Sequence, residues 1–168
     1  MASPTVHPES SSDDGGIQKQ KPDKRLALAK NLCSTRGVRL TALRQQVLEL
    51  LWDTCQPKGA YDLIDALEQK RNRKVAPPTV YRALDFLIDQ GFVTKIESRN
   101  TYTSCAHPER RHGCLFFICS DCGASVEMED PGVEQRLAED AAGLGFQVTG
   151  RVIEVQGTCA SCLAANVT

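Results

Sequence analysis

The sequence predicts an α+β chain, with an N-terminal winged helix-turn-helix followed by a C-terminal α/β unit carrying a four-cysteine zinc site. Three observations predict it. Helical apolar periodicity runs from about residue 23 to Gln90 and then gives way to two short β-prone runs. Two Cys-x-x-Cys pairs, Cys119/Cys122 and Cys159/Cys162, are separated by 36 residues. Charge is divided between the two halves of the chain.

Residues 1–22 are rich in Ser, Pro, Asp, Gly and Gln, and their few hydrophobes cannot offset the entropy of ordering. They predict a disordered tail, and His7 lies in it. Leu26, Ala29, Leu32 and Cys33 then recur at helical spacing until Gly37. Thr41 can cap a second helix carrying Leu43, Val47, Leu50 and Leu51. Pro57 and Gly59 mark a turn into a third helix with Leu63, Ala66 and Leu67 on one face. Past a basic stretch, Pro77-Pro78 opens a fourth helix, Thr79 to Gln90, closed by Gly91. Phe92–Glu97 and Thr101–Cys105, joined by Ser98-Arg99-Asn100, predict a hairpin, the wing.

After Cys105 the pattern changes. His107–Gly113 reads as a polar loop, Leu115–Ile118 and Ala124–Met128 as strands, Val133–Ala142 as a helix and Phe146–Val155 as a longer strand. The expected organisation is a tail to residue 22, a DNA-binding unit over 23–105 and a zinc-binding unit over 106–168.

The 168 residues hold 20 Lys+Arg and 21 Asp+Glu, for a net charge of −1. That near-neutrality is a cancellation. Residues 24–91 hold 12 basic and 7 acidic side chains, whereas residues 106–168 hold 4 and 9. A basic helical half beside an acidic half is the asymmetry expected when one part faces phosphates. The longest apolar run, Cys114–Cys119, has six residues, against about 20 for a membrane span. No membrane association is expected. No secretory signal is visible, so a cytoplasmic location is the expectation.

In a reducing compartment, eight cysteines point to metal before disulfide. Each Cys-x-x-Cys pair can form a knuckle, and two knuckles make a tetrahedral four-thiolate zinc site. Such a site is closed, so it is structural. Cys33 reads as a core residue and Cys55 as a bystander. Cys105, His107, His112 and Cys114 form a second candidate metal cluster. No catalytic constellation stands out, so no enzyme activity is expected. From the residues alone, a thiol oxidoreductase using the Cys-x-x-Cys pairs and a zinc-stabilised protein-interaction module remain open.

Several stretches together carry a family resemblance. They are Arg36-Gly37-Val38-Arg39-Leu40-Thr41, Ala60-Tyr61-Asp62-Leu63, Pro77-Pro78-Thr79-Val80-Tyr81-Arg82-Ala83-Leu84-Asp85-Phe86-Leu87, Gly91-Phe92-Val93 and Phe117-Ile118-Cys119-Ser120-Asp121-Cys122-Gly123. Across residues 24–163 the chain resembles the ferric uptake regulator superfamily, and within it the zinc-uptake branch. The resemblance implies a homodimeric repressor of zinc-uptake genes that binds double-stranded operator DNA and carries two Zn2+ per subunit. It implies Cys119, Cys122, Cys159 and Cys162 as structural zinc ligands, and Cys105, His112 and Glu127 as three ligands of a regulatory zinc. The family's fourth regulatory ligand, a His on the first wing strand, falls at Thr94. His107 is the first candidate to replace it, with Cys114 or water behind it. Where iron-sensing members carry a His-rich run, this chain has His107-Pro108-Glu109-Arg110-Arg111-His112, which points away from iron. A peroxide or other-metal sensor of the same superfamily is the nearest alternative.

The fourth helix is expected in the major groove, with Arg82 a candidate for bidentate contact to guanine. The resemblance adds Tyr61 as a base contact and Tyr81 as a backbone contact. Thr79, Arg39, Arg44, Lys95 and Arg99 are expected phosphate contacts.

Overall fold

The computed structural model describes residues 22–53, 56–110, 113–149 and 151–165. Cys55, His112 and nearly all of the N-terminal segment, including His7, lie outside them. Among the described residues no helix is long and apolar enough to cross a membrane.

α1 (Pro22–Thr35) buries Ala29 and Cys33. Its first residue falls inside the segment expected to be tail. α2 (Ala42–Trp52) starts where Thr41 predicts, with the Thr41 hydroxyl accepting from the Arg44 amide. A two-residue strand, β1 (Lys58–Gly59), leads into α3 (Ala60–Arg71). Asp62 turns back to accept the Gly59 amide at 3.0 Å, a cap made from the third helical position.

The turn after α3 is braced by Glu68. Its carboxylate accepts the Val75 amide at 3.0 Å and pairs with Lys74 at 2.9 Å. α4 (Pro77–Asp89) begins two residues earlier than the sequence reading placed it. The two prolines lack N–H groups in the first turn, where no intrahelical acceptor exists, so they fit there without loss. Val80, Ala83, Leu84 and Leu87 are buried against α2 and α3, and each large apolar side chain so buried contributes about 1.5–3 kcal/mol. Gly91 at φ +70 ends α4, and the Phe92 amide bonds back to the Leu87 carbonyl at 2.8 Å. The helix thus delivers Phe92 to the core and the chain directly into β2.

β2 (Val93–Ile96) and β3 (Thr101–Ser104) pair antiparallel, and β1 adds to β3 to complete the winged helix. The connection is a 3-10 turn over Glu97–Arg99 closed by left-handed Asn100, rather than a simple bend. The two faces of β2 serve different partners. Val93 faces the helices, whereas Ile96 packs with Cys114, Phe116 and Ile118 of the following sheet.

That sheet has the order β5-β4-β6, built from β4 (Cys114–Cys119), β5 (Ser125–Met128) and β6 (Val152–Gly157). β4 runs antiparallel to β5 and parallel to β6. α5 (Pro131–Gly143), capped by Asp130, makes the crossover, and α6 (Ala160–Ala165) follows. The strand expected over Phe146–Val155 is shorter and begins at Val152. Its first residues instead finish α5: the Phe146 amide bonds to Ala141 and the Gly145 amide to Ala142, at 2.8 and 3.0 Å. Phe146 is β-prone, but the helix end claims its backbone.

Candidate metal centres and nucleic-acid face

The two knuckles meet at the end of the β4–β6 pair. Ser120 donates its amide to the Gly157 carbonyl at 2.7 Å, tying one knuckle to the other. The sulfurs of Cys119, Cys122, Cys159 and Cys162 all lie within 4.8 Å of one another. Four sulfurs at the Zn–S distance of about 2.3 Å would stand about 3.8 Å apart. The Cys119–Cys162 and Cys122–Cys159 pairs are each 3.8 Å apart, so the four residues fit a tetrahedral ion. Backbone amides of Cys122 and Cys159 point at the Cys119 sulfur and pull its thiol down to about 6. The Cys162 thiol is pushed up to about 12 by sharing its proton with Cys159 and Cys122. A sulfur favoured as thiolate at Cys119 beside one that keeps its proton at Cys162 is a pair that a dication would complete by displacing protons.

The second cluster lies where the wing meets the sheet. Cys105 follows β3, Cys114 opens β4 and Glu127 sits on β5. Register pairs Phe116 with Glu127, so Cys114, Phe116, Ile118 and Glu127 share the face turned to the wing. Cys105 and Cys114 are both buried. The hydrogen bond to Cys114, burial and the Glu127 carboxylate all push the Cys105 thiol up. Glu127 accepts the Ala106 amide at 3.3 Å. Both thiols line a cavity of about 720 Å3 between wing and sheet.

The His107 ring lies beside two carboxylates. Its Nδ1 lies 3.1 Å from Glu109 and its Nε2 3.8 Å from Glu129. The residue beside Cys114 is instead Thr94, whose hydroxyl lies 3.4 Å from the Cys114 sulfur.

A second junction ties the wing tip to the C-terminal sheet. Glu154, on β6, accepts the amides of Glu97 and Ser98 at 2.7 and 3.2 Å. Partial burial works to raise this carboxyl, but the hydrogen bonds outweigh it and hold it below the ordinary value. Arg99 donates from Nη2 to the Cys119 carbonyl at 2.6 Å. Its guanidinium rests on Gly123, where an added Cβ would meet Nη1 at 3.0 Å. Arg99, expected on phosphate, is therefore held against the first cysteine knuckle. The sequence reading does not single out Glu154; its register opposite Phe116 is what turns it to the wing side of the sheet. Replacing Glu154 by Ala removes the carboxylate that accepts two backbone amides, bonds worth about 1 kcal/mol each. Hydrogen exchange should show faster Glu97 and Ser98 amides with the α2–α4 amides unchanged.

On the helical part, Arg82 and Thr79 project from α4 into solvent, and Tyr61 is 71% exposed at the start of α3. Arg39 is exposed in the loop before α2. Tyr81 packs half-buried against the core. Arg44 differs from its expected role. Its guanidinium lies 3.5 Å from the Phe86 ring centroid and donates to the Arg39 carbonyl at 2.7 Å. It stacks and braces the Arg39 loop rather than reaching outward. Lys95 forms an ion pair with Glu97.

Comparison with known proteins agrees with this arrangement. The zinc uptake regulation protein of Escherichia coli K12 is 43% identical over 148 residues, covering 88% of this chain and 86% of its own. A structure described as a zinc uptake regulator complexed with zinc and DNA superposes with a TM-score of 0.82 at 41% identity, over 89% of this chain and 99% of its own. The holo form of XcZur superposes at 0.76 with 43% identity, over 84% of this chain and 99% of its own, and the apo form at 0.50 with 42% identity, over 84% and 97%. The sequence profile of the ferric uptake regulator family matches residues 35–156, and the chain belongs to that family.

Proposed function

We propose that the chain is a zinc-responsive transcriptional repressor that binds duplex operator DNA as a homodimer in the cytoplasm. One observation carries the reading: the superposition on a zinc uptake regulator in complex with zinc and DNA, with α4 presenting Arg82 and Thr79 to solvent. The role is regulatory, not enzymatic. The functional division falls near Cys105, between a DNA-binding unit and a zinc-binding dimerisation unit.

Each subunit would hold two zinc ions. Cys119, Cys122, Cys159 and Cys162 would hold a structural one. Cys105, Glu127 and, by family resemblance, His112 would hold the regulatory one. Bound zinc supplies positive charge that thiolate, carboxylate and imidazole from separate segments can share. Gathering those side chains fixes the wing against the sheet. In a dimer, recognition helices must stand about one DNA turn apart, about 34–36 Å, or a multiple of it, so fixing the wing selects the spacing. The chain fits the holo form of XcZur better than its apo form at nearly equal identity, which supports this reading.

The homodimer is supported by the opposite face of the sheet. Phe117 pairs in register with Val126 on one side and Val155 on the other. These side chains are 45%, 58% and 40% exposed. An apolar strip across all three strands is a surface that a partner should cover.

Arg82 gives the direct test of the DNA face. In zinc-loaded protein, Arg82→Ala should lose about 1–3 kcal/mol of discrimination at one guanine position while leaving weak, salt-dependent duplex binding. Competition between operator and single-base variants measures it. Unchanged discrimination across every position would remove α4 from base reading.

A further inference from the structure

We propose that Cys114 is a ligand of the regulatory site beside Cys105 and Glu127, making it a two-thiolate centre in which Cys114 replaces the wing-strand imidazole lost at Thr94. The inference rests on the reading of Cys105 and Glu127 given above and adds to it a ligand and a metal preference.

Position 94 is where the family pattern has a ligand, and Thr94 is buried there with a hydroxyl too short to take that place. The group its side chain meets is the Cys114 sulfur, at 3.4 Å. A sulfur therefore stands next to the position an imidazole would have used. It reaches that place from the opposite side of the interface, because β2 and β4 face each other through Ile96, Phe116 and Ile118. Cys114 is also hydrogen-bonded to Cys105, whose thiol feels the Glu127 carboxylate. The two thiols thus adjoin, and the Glu127 carboxylate holds the Ala106 amide next to Cys105. The group is looser than the four knuckle cysteines, and the cavity that both thiols line gives an ion a way in to draw it together. The rival ligand, His107, has its ring on Glu109 and Glu129.

Each group then has a role. Cys105 and Cys114 supply thiolates, and Glu127 supplies a carboxylate. Thr94 donates to the Cys114 thiolate and orients it, as hydrogen-bonding partners of metal ligands do. Two thiolates make the site softer than one, which favours Zn2+ over Fe2+ and Mn2+. Two thiolates and a carboxylate around a dication leave one negative charge. Arg36, Arg110 and Arg151 line the same cavity as the two thiols and give it a positive wall.

The test uses full-length protein with zinc in the four-cysteine site and Co2+ added as the second metal. Thiolate-to-cobalt charge-transfer absorption in the near ultraviolet grows with the number of thiolates bound. The wild type should show a band of two-thiolate intensity. Cys114→Ser should halve it and weaken Zn2+ binding at that site by at least about 100-fold, beyond the loss typical of an orienting partner. His107→Ala should leave the band unchanged. The double variant Thr94→His/Cys114→Ser should keep the halved band while recovering most of the zinc affinity, which a merely misfolded Cys114→Ser could not do. A tetrahedral cobalt spectrum of one-thiolate intensity, indifferent to Cys114→Ser or lost in His107→Ala, overturns the ligand and leaves the regulatory site standing. Failure of any second metal to bind overturns both.

Discussion

Replacing Cys119 by Ser should release the zinc expected at the knuckles and unfold the C-terminal sheet. The effect is large because the lost sulfur is one of the four gathered for the ion. It lies 3.8 Å from that of Cys162 and accepts the Cys159 amide at 3.3 Å. The backbone bonds of residue 119, to Ala124, Gly123 and Arg99, survive the substitution but hold the knuckle only while its fold persists. The remaining holding forces are small. Among the described residues, α5 and α6 have no fully buried side chain, and the buried apolar cluster at the wing–sheet junction holds only four residues. A structural zinc contributes about 10–16 kcal/mol, as much as the whole stability of a typical domain, about 5–15 kcal/mol. Losing it should cost the sheet and the dimer built on it, and should free the wing tip that Arg99 ties to the knuckle. Zinc content and light-scattering mass check this. A variant that keeps both zinc ions and remains a dimer contradicts it.

Replacing Cys105 by Ser, or Glu127 by Gln, should have the opposite pattern. The protein should stay folded and dimeric with its structural zinc, yet stop responding to added zinc. Neither residue belongs to the helical core or to the outer sheet face. Both act where the wing meets the sheet. Shifting a binding-competent fraction from 1:99 to 99:1 takes about 5.5 kcal/mol of differential metal affinity. Removing a thiolate or a carboxylate removes a large part of that difference. Operator binding of the variant should then be weak and flat across zinc concentrations, with thermal stability of the helical unit close to wild type. A Cys105→Ser protein that still binds operator only in the presence of zinc would place the switch elsewhere.

The features legible in the sequence were those set by local chemistry. Thr41 marks the start of α2 because an N-cap acts on residues three positions away. Pro77-Pro78 marks α4 because a missing N–H matters within a single turn. Cys-x-x-Cys marks each knuckle because two sulfurs three positions apart can share one ion. The features that escaped were set by distant partners. Arg99 and Arg44 carry the charge of phosphate contacts, but a carbonyl on β4 and a ring on α4 take them up. His107 sits two residues from Cys105, yet Glu109 and Glu129 take its ring. Phe146 reads as strand until the end of α5 takes its amide. Glu154 at the wing tip, and the contact between Thr94 and Cys114, depend on how β2, β4 and β6 face one another. Spacing along the chain does not encode that.

Zinc at the wing–sheet junction is proposed to license operator binding. Duplex binding titrated against buffered free zinc, with iron and manganese as controls, tests it most directly. Operator affinity should rise steeply as the second zinc equivalent binds, fall again with a chelator that leaves the structural zinc in place, and respond little to iron or manganese. Operator affinity that is the same with one zinc per subunit as with two would contradict it.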